Sequence, residues 1–113
     1  MTIAEIAVSA EATIVVGDRE QHEVAYGFAS DLMSDVLTVM QDNVLLITGL
    51  ANVQTIRTAI MADISAILIV RNKRATQDMR HAAHEGGIVL LETEFSMFRA
   101  SGILYDAGLL AVF

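Results

Sequence analysis

The sequence predicts an α/β fold, three layers in the order α/β/α, built on a mostly parallel sheet of about five strands. Three observations carry that expectation. Through the second half of the chain, short apolar runs alternate with segments of helical spacing, in the order strand, helix, strand, helix, strand, helix. That is the pattern of a parallel sheet joined by crossover helices. The runs at 44–48 and 66–70 are apolar at nearly every position instead of alternating, as strands covered on both faces are. The strand ends also lead into residues able to cap a helix, such as Asn52, Thr76 and Thr93.

Each element follows from its own residues. Residues 2–9, with Ile3, Ile6 and Ala7 apolar, form a short helix capped by Thr2. Residues 13–16 are a β-branched run closed by Gly17-Asp18, a strand and its turn. Residues 24–28 make a second strand. Between 32 and 40, apolar residues fall at 32, 33, 36, 37, 39 and 40, which is helical spacing. Asp42-Asn43 is a turn, and 44–48 is a buried strand. Asn52 caps a helix from 53 to about 63, whose Val53, Ile56, Ile60 and Ile64 share one face. Residues 66–70 are the next strand. Residues 76–85 form a helix capped by Thr76 or its neighbour and stopped by Gly86-Gly87. Residues 88–91 are a strand. Thr93 caps a last helix from Glu94 to about Ala107, with Phe95, Phe98, Gly102 and Tyr105 on one face. The apolar tail 109–113 packs on the body or on a partner.

Composition narrows the class. At 113 residues the whole chain, 1–113, reads as a single domain. It is 54% hydrophobic, with a mean hydropathy of +0.52, above the usual share of about 45–50%. The longest greasy stretch, 60–70, contains Asp63 and Ser65 and falls far short of the roughly 20 residues that span a bilayer. Residues 1–9 carry Glu5 and no base, unlike a signal peptide, so the expected location is cytoplasmic. The apolar surplus then points to a buried sheet or a homo-oligomer interface. The absence of cysteine excludes a disulfide scaffold, thiol chemistry and cysteine-ligated metal. A net charge of −7 argues against nucleic acid and against an anionic membrane as partners.

The chemistry on offer collects at strand ends, where open parallel sheets bind ligands. The candidates are Ser30 and Asp31 after the second strand, and Thr48, Gly49 and Asn52 after the third. Arg71, Lys73 and Arg74 follow the fourth, and Glu92 and Thr93 the fifth. Helix N-termini at these loops favour an anion, and the three bases add positive charge, so a phosphate- or nucleotide-bearing ligand fits. The plain alternative is a solvated basic turn. Asp31 and Asp35, four apart, would share one side of a helix and could serve a small enzyme or hold a metal. Their plain alternative is a helix cap with an acidic first turn. His81 and His84 are read as a surface pair, and His22, in a polar turn, is given no role. There is no G-x-S-x-G elbow, no phosphate loop and no G-x-G-x-x-G. No catalytic residue, no cofactor and no metal site is assigned.

Several stretches together resemble the DRTGG domain family, the module related to the N-terminal part of HPr kinase/phosphorylase. They are Thr-Ile-Ala-Glu-Ile-Ala at 2–7, Ser-Asp-Leu-Met-Ser-Asp-Val-Leu at 30–37, the strands at 44–48 and 66–70, Ile-Val-Leu-Leu-Glu-Thr at 88–93, and the ending 95–108. The name-giving Asp-Arg-Thr-Gly-Gly is absent; Gly17-Asp18-Arg19 followed by Tyr26-Gly27 is its remnant. The resemblance implies an α/β/α fold and a regulatory, ligand-binding role as a homodimer. Partners would be a second copy, a small phosphorylated or nucleotide ligand, and a protein partner. Without a phosphate loop, no HPr kinase activity is expected.

Overall fold

The computed structural model describes residues 1–113. Its elements, in chain order, are α1 (Ile3–Ser9), β1 (Thr13–Val16), β2 (Tyr26–Ala29), α2 (Met33–Val36), β3 (Val44–Thr48), α3 (Val53–Met61), β4 (Ala66–Ile69), α4 (Gln77–Gly86), β5 (Val89–Glu92), α5 (Met97–Asp106) and β6 (Leu110–Ala111). The strands form one six-stranded sheet in the order β1-β5-β4-β3-β2-β6. All neighbours are parallel except β1, which runs antiparallel to β5. This is the α/β architecture expected, with one strand more, because the tail joins the sheet beside β2 as β6.

Alternation along the strands builds the two cores. Leu45 and Ile47 point to one face with Leu68 and Leu91, where α1 and α5 cover them through Ile3, Ile6, Ala100 and Leu104. Val44 and Leu46 point to the other with Ile67 and Leu90, under Val36 of α2, Ile56 and Ala59 of α3, and Met79 and Ala83 of α4. Both faces of β3, β4 and β5 are therefore sealed, which is why their sequences are continuous apolar runs. Each fully buried leucine or isoleucine contributes about 1.5–3 kcal/mol of transfer free energy.

The caps at Thr2, Asn52 and Thr76 stand where expected: each side-chain oxygen accepts the N–H three residues on, at 3.1 Å. Thr2 and Glu5 complete a reciprocal capping box. Helix α4 ends on Gly87, whose φ of +69° is the left-handed conformation that glycine adopts without a Cβ penalty.

Four expectations change. The second strand begins at Tyr26 and not at Val24. The helix expected over 32–40 is only the single turn Met33–Val36, because i→i+3 bonds from Thr38 and Val39 replace helical ones and the Thr38 hydroxyl also donates to the Asp35 carbonyl at 2.6 Å. On α3 the buried residues are Thr55, Ile56, Thr58 and Ala59, while Ile60 is exposed. The last helix starts at Met97 with Ser96 as its cap, not at Glu94 under Thr93. Its buried residues are Ala100 and Leu104, so Phe98, Gly102 and Tyr105 face outward.

Candidate functional site

The carboxyl ends of β2, β3, β4 and β5 lie along one edge of the sheet, as their parallel pairing requires. The loops after β2, β3 and β4 lead to helices on one face, and the loop after β5 leads to α5 on the other. The connections therefore part between β4 and β5, the kind of place where open parallel sheets bind ligands. A crevice of about 160 Å³ lies next to it, at the carboxyl end of β5 between the start of β1 and the loop after β4, lined by Glu11, Thr13, Arg74, Glu92, Thr93, Glu94 and Phe95.

Two carboxylates organise this edge, Asp31 at the surface and Glu92 in the interior. Asp31, after β2, accepts the Thr48 hydroxyl at 2.8 Å and the Gly49 N–H at 2.7 Å. It thereby ties the β2 loop to the end of β3. It lies outside α2, so Asp31 and Asp35 do not share a helix face as expected; Ser30 turns the chain instead, its hydroxyl accepting the Leu32 N–H at 3.0 Å. No group of three His, Asp or Glu side chains is placed to hold a metal ion.

Glu92, at the end of β5, is only 4% exposed. Its carboxylate accepts the Ala75 N–H at 2.6 Å and pairs with Arg74 at 3.2 Å, with Arg80 at 4.0 Å. A buried carboxylate needs such partners to offset lost hydration. Arg74 is thus committed to the protein. Thr93 is also occupied: its buried hydroxyl donates to the Ala10 carbonyl at 2.7 Å and accepts the Phe95 N–H at 3.2 Å.

The loop after β4 is strained. Arg71 and Asn72 both adopt left-handed backbone, with φ of +63° and +59°, a cost of order 1–3 kcal/mol for each non-glycine residue. Two hydrogen bonds to the β5–α5 loop hold it, Arg71 N–H to the Phe95 carbonyl at 2.6 Å and Asn72 N–H to the Thr93 carbonyl at 3.0 Å. Arg71 and Lys73 are exposed and form no ion pair within the chain. Alongside, β3 leads to α3, where Asn52 takes up the Thr55 N–H. The N–H groups of Val53 and Gln54 find no acceptor in the chain, as first-turn amides do without a ligand or water.

The ten strand-end residues therefore divide. Thr48, Gly49, Asn52, Arg71 and Lys73 surround the β3 and β4 loops. Arg74, Glu92 and Thr93 brace the crevice, and Ser30 and Asp31 shape the β2 turn. The segment Gly17-Asp18-Arg19 lies at the opposite edge, where the Arg19 guanidinium donates to the Gly87 carbonyl at 3.2 Å.

That opposite edge holds a residue to which sequence reasoning gave no role. Arg19 Nη2 donates to His22 Nδ1 at 3.0 Å, so His22 Nε2 carries the proton it donates to Ser65 Oγ, at 2.9 Å. A Ser–His pair with this tautomer cannot take the serine proton, so it is a brace and not a nucleophile with its base. Burial, and then the Arg19 charge, hold the His22 pKa below its ordinary 6.5, against the opposing effect of Glu23. The contact spans 43 residues of sequence, and nothing local announces it.

No protein-family model matches the sequence, and no curated protein matches it. Among solved structures, the fold is similar to that of the CBS and DRTGG domains of the regulatory region of Clostridium perfringens pyrophosphatase, complexed with the activator diadenosine tetraphosphate. The TM-score is 0.78 at 12% sequence identity, and the match covers 98% of this chain and 48% of that one. This chain thus spans about half the length of that structure, and what the two share is the fold.

Proposed function

We propose that this protein is a non-catalytic regulatory module that acts as a homodimer and senses a nucleotide or phosphorylated metabolite at the carboxyl edge of its sheet. The observation that carries the reading is the junction of the β3 and β4 loops. There, unpaired first-turn amides of α3 lie beside a strained left-handed turn bearing two unpaired cations, Arg71 and Lys73. Strain of this kind persists only where the surrounding structure over-determines it, and it clusters at ligand clamps. An anion is the chemistry that such amides and charges favour.

In this reading the ligand contacts are Asn52, Arg71 and Lys73, while Thr48 and Gly49, buried and bonded to Asp31, shape the floor of the site. Ser30, Asp31, Arg74, Glu92 and Thr93 hold the loops in place. The crevice at the end of β5 is lined by three carboxylates against one guanidinium, so it suits the uncharged part of a ligand better than its phosphate. The fold shared with a regulatory region bound to a dinucleotide activator supports the same reading.

A thermal-shift panel of adenine nucleotides, diadenosine tetraphosphate and acyl phosphates tests it. A true ligand at 100 times its Kd stabilises the fold by about 2.7 kcal/mol. Each charge-assisted contact contributes about 1.5–3 kcal/mol, so Arg71→Ala/Lys73→Ala abolishes the shift at the same concentration. A panel with no shift in the parent protein counts against the reading.

A further inference from the structure

Helix α5 turns an apolar stripe to solvent. Phe98 is 79% exposed and Tyr105 71%. Gly102 lies between them, at the four- and three-residue spacings that place all three on one face. Val8 on the adjacent helix α1 is exposed as well.

Gly102 has no purpose inside the chain. Its backbone is not left-handed, and a Cβ built on it would meet nothing within 4 Å. Glycine in a helix interior destabilises it relative to alanine. A bare backbone flanked by two exposed aromatic rings is therefore explained by something outside the chain that approaches closely. Charge adds direction. Arg99 and Asp106 stand beside the stripe toward opposite ends of the helix, both exposed and neither in an ion pair within the chain. The Arg99 guanidinium lies over the Phe95 ring, 3.9 Å from its centre, which uses the flat face of the group and leaves its N–H donors to other partners.

We infer that α5 is the surface through which two copies of this chain associate, crossing antiparallel at Gly102. The glycine notches face each other, Phe98 of each copy packs against the partner's Tyr105, and Arg99 lies beside the partner's Asp106. A second copy fits better than an unrelated protein because the stripe is self-complementary. It carries a notch at its centre, an aromatic on either side and one charge of each sign, so a two-fold axis brings every feature to its counterpart. The inference rests on the homodimer part of the function proposed above and gives it a location.

Sedimentation velocity on the full chain over a concentration series measures the association. Gly102→Ala separates fold from interface, because it raises the thermal midpoint of the fold while weakening the dimer by about tenfold or more. Arg99→Asp and Asp106→Arg each weaken the dimer, and the double variant restores it. Two results overturn the surface. A chain that stays monomeric at every concentration removes both this interface and the homodimer. A dimer whose Kd is unchanged by Gly102→Ala and by Phe98→Ser removes this interface alone and leaves the homodimer standing. The ligand panel reads a different edge of the molecule and is scored separately.

Discussion

Glu92 shows how much one side chain does when it is buried at a junction. It satisfies the N–H of Ala75 and neutralises Arg74, both from the loop after β4. Because Arg74 is 58% exposed in its side chain and Glu92 3%, the pair is asymmetric: an abandoned arginine returns to water, and an abandoned glutamate cannot. Glu92→Gln is expected to cost about 1–3 kcal/mol in urea denaturation, because the amide oxygen can still accept the Ala75 N–H but the charge is gone and an NH2 donor faces the Arg74 guanidinium. His22 gives a pH dependence. Its folded pKa lies below the unfolded 6.5, so under acid conditions the unfolded chain takes up a proton that the fold resists. Its contribution is complete above about pH 6.5 and is lost as pH falls from there through the depressed folded value. Denaturation at pH 7.5 and 5.5 should show the fall, and His22→Asn should reduce it. The sequence marks Glu92 as a strand-end candidate and gives His22 no role, and it shows the partners of neither. Glu92 pairs across 18 positions and His22 across 43, and both pairings exist only once the sheet is ordered.

Local chemistry decides where elements begin, and there the sequence reads well. Thr2, Asn52 and Thr76 cap the helices expected of them, because a side chain that accepts an N–H three residues on needs nothing distant. Thr76→Ala should cost about 1 kcal/mol, the usual price of a lost cap, measured as a lower urea midpoint. Thr93 is the instructive exception. It resembles a cap, but its hydroxyl is buried against Ala10 while Ser96 does the capping. Apolar spacing is a weaker guide than capping, because it defines a stripe and not what covers it. On the segment 32–40, Val36 and Val39 are buried while Leu32, Leu37 and Met40 are exposed. On α5 the spacing found the face of Phe98 and Tyr105, which looks away from the core.

At the scale of the molecule, the alternation of strands and helices predicted the layers, but the strand order did not follow from it. Nothing in the tail 109–113 says that it crosses to the far edge of the sheet, yet that crossover puts α5 opposite α2, α3 and α4 and parts the connections between β4 and β5. The sheet's centre carries the stability of both layers: Leu68, fully buried on β4, should cost about 2–5 kcal/mol as Leu68→Ala, read by urea denaturation. The central claim is that the β3 and β4 loops form an anion site for a nucleotide. Titrating the isotopically labelled protein with diadenosine tetraphosphate and following backbone amide resonances tests it most directly. The account predicts saturable shifts concentrated at Gly49, Asn52, Val53, Gln54 and 71–74. Shifts confined to other elements, or none at millimolar ligand, would contradict it.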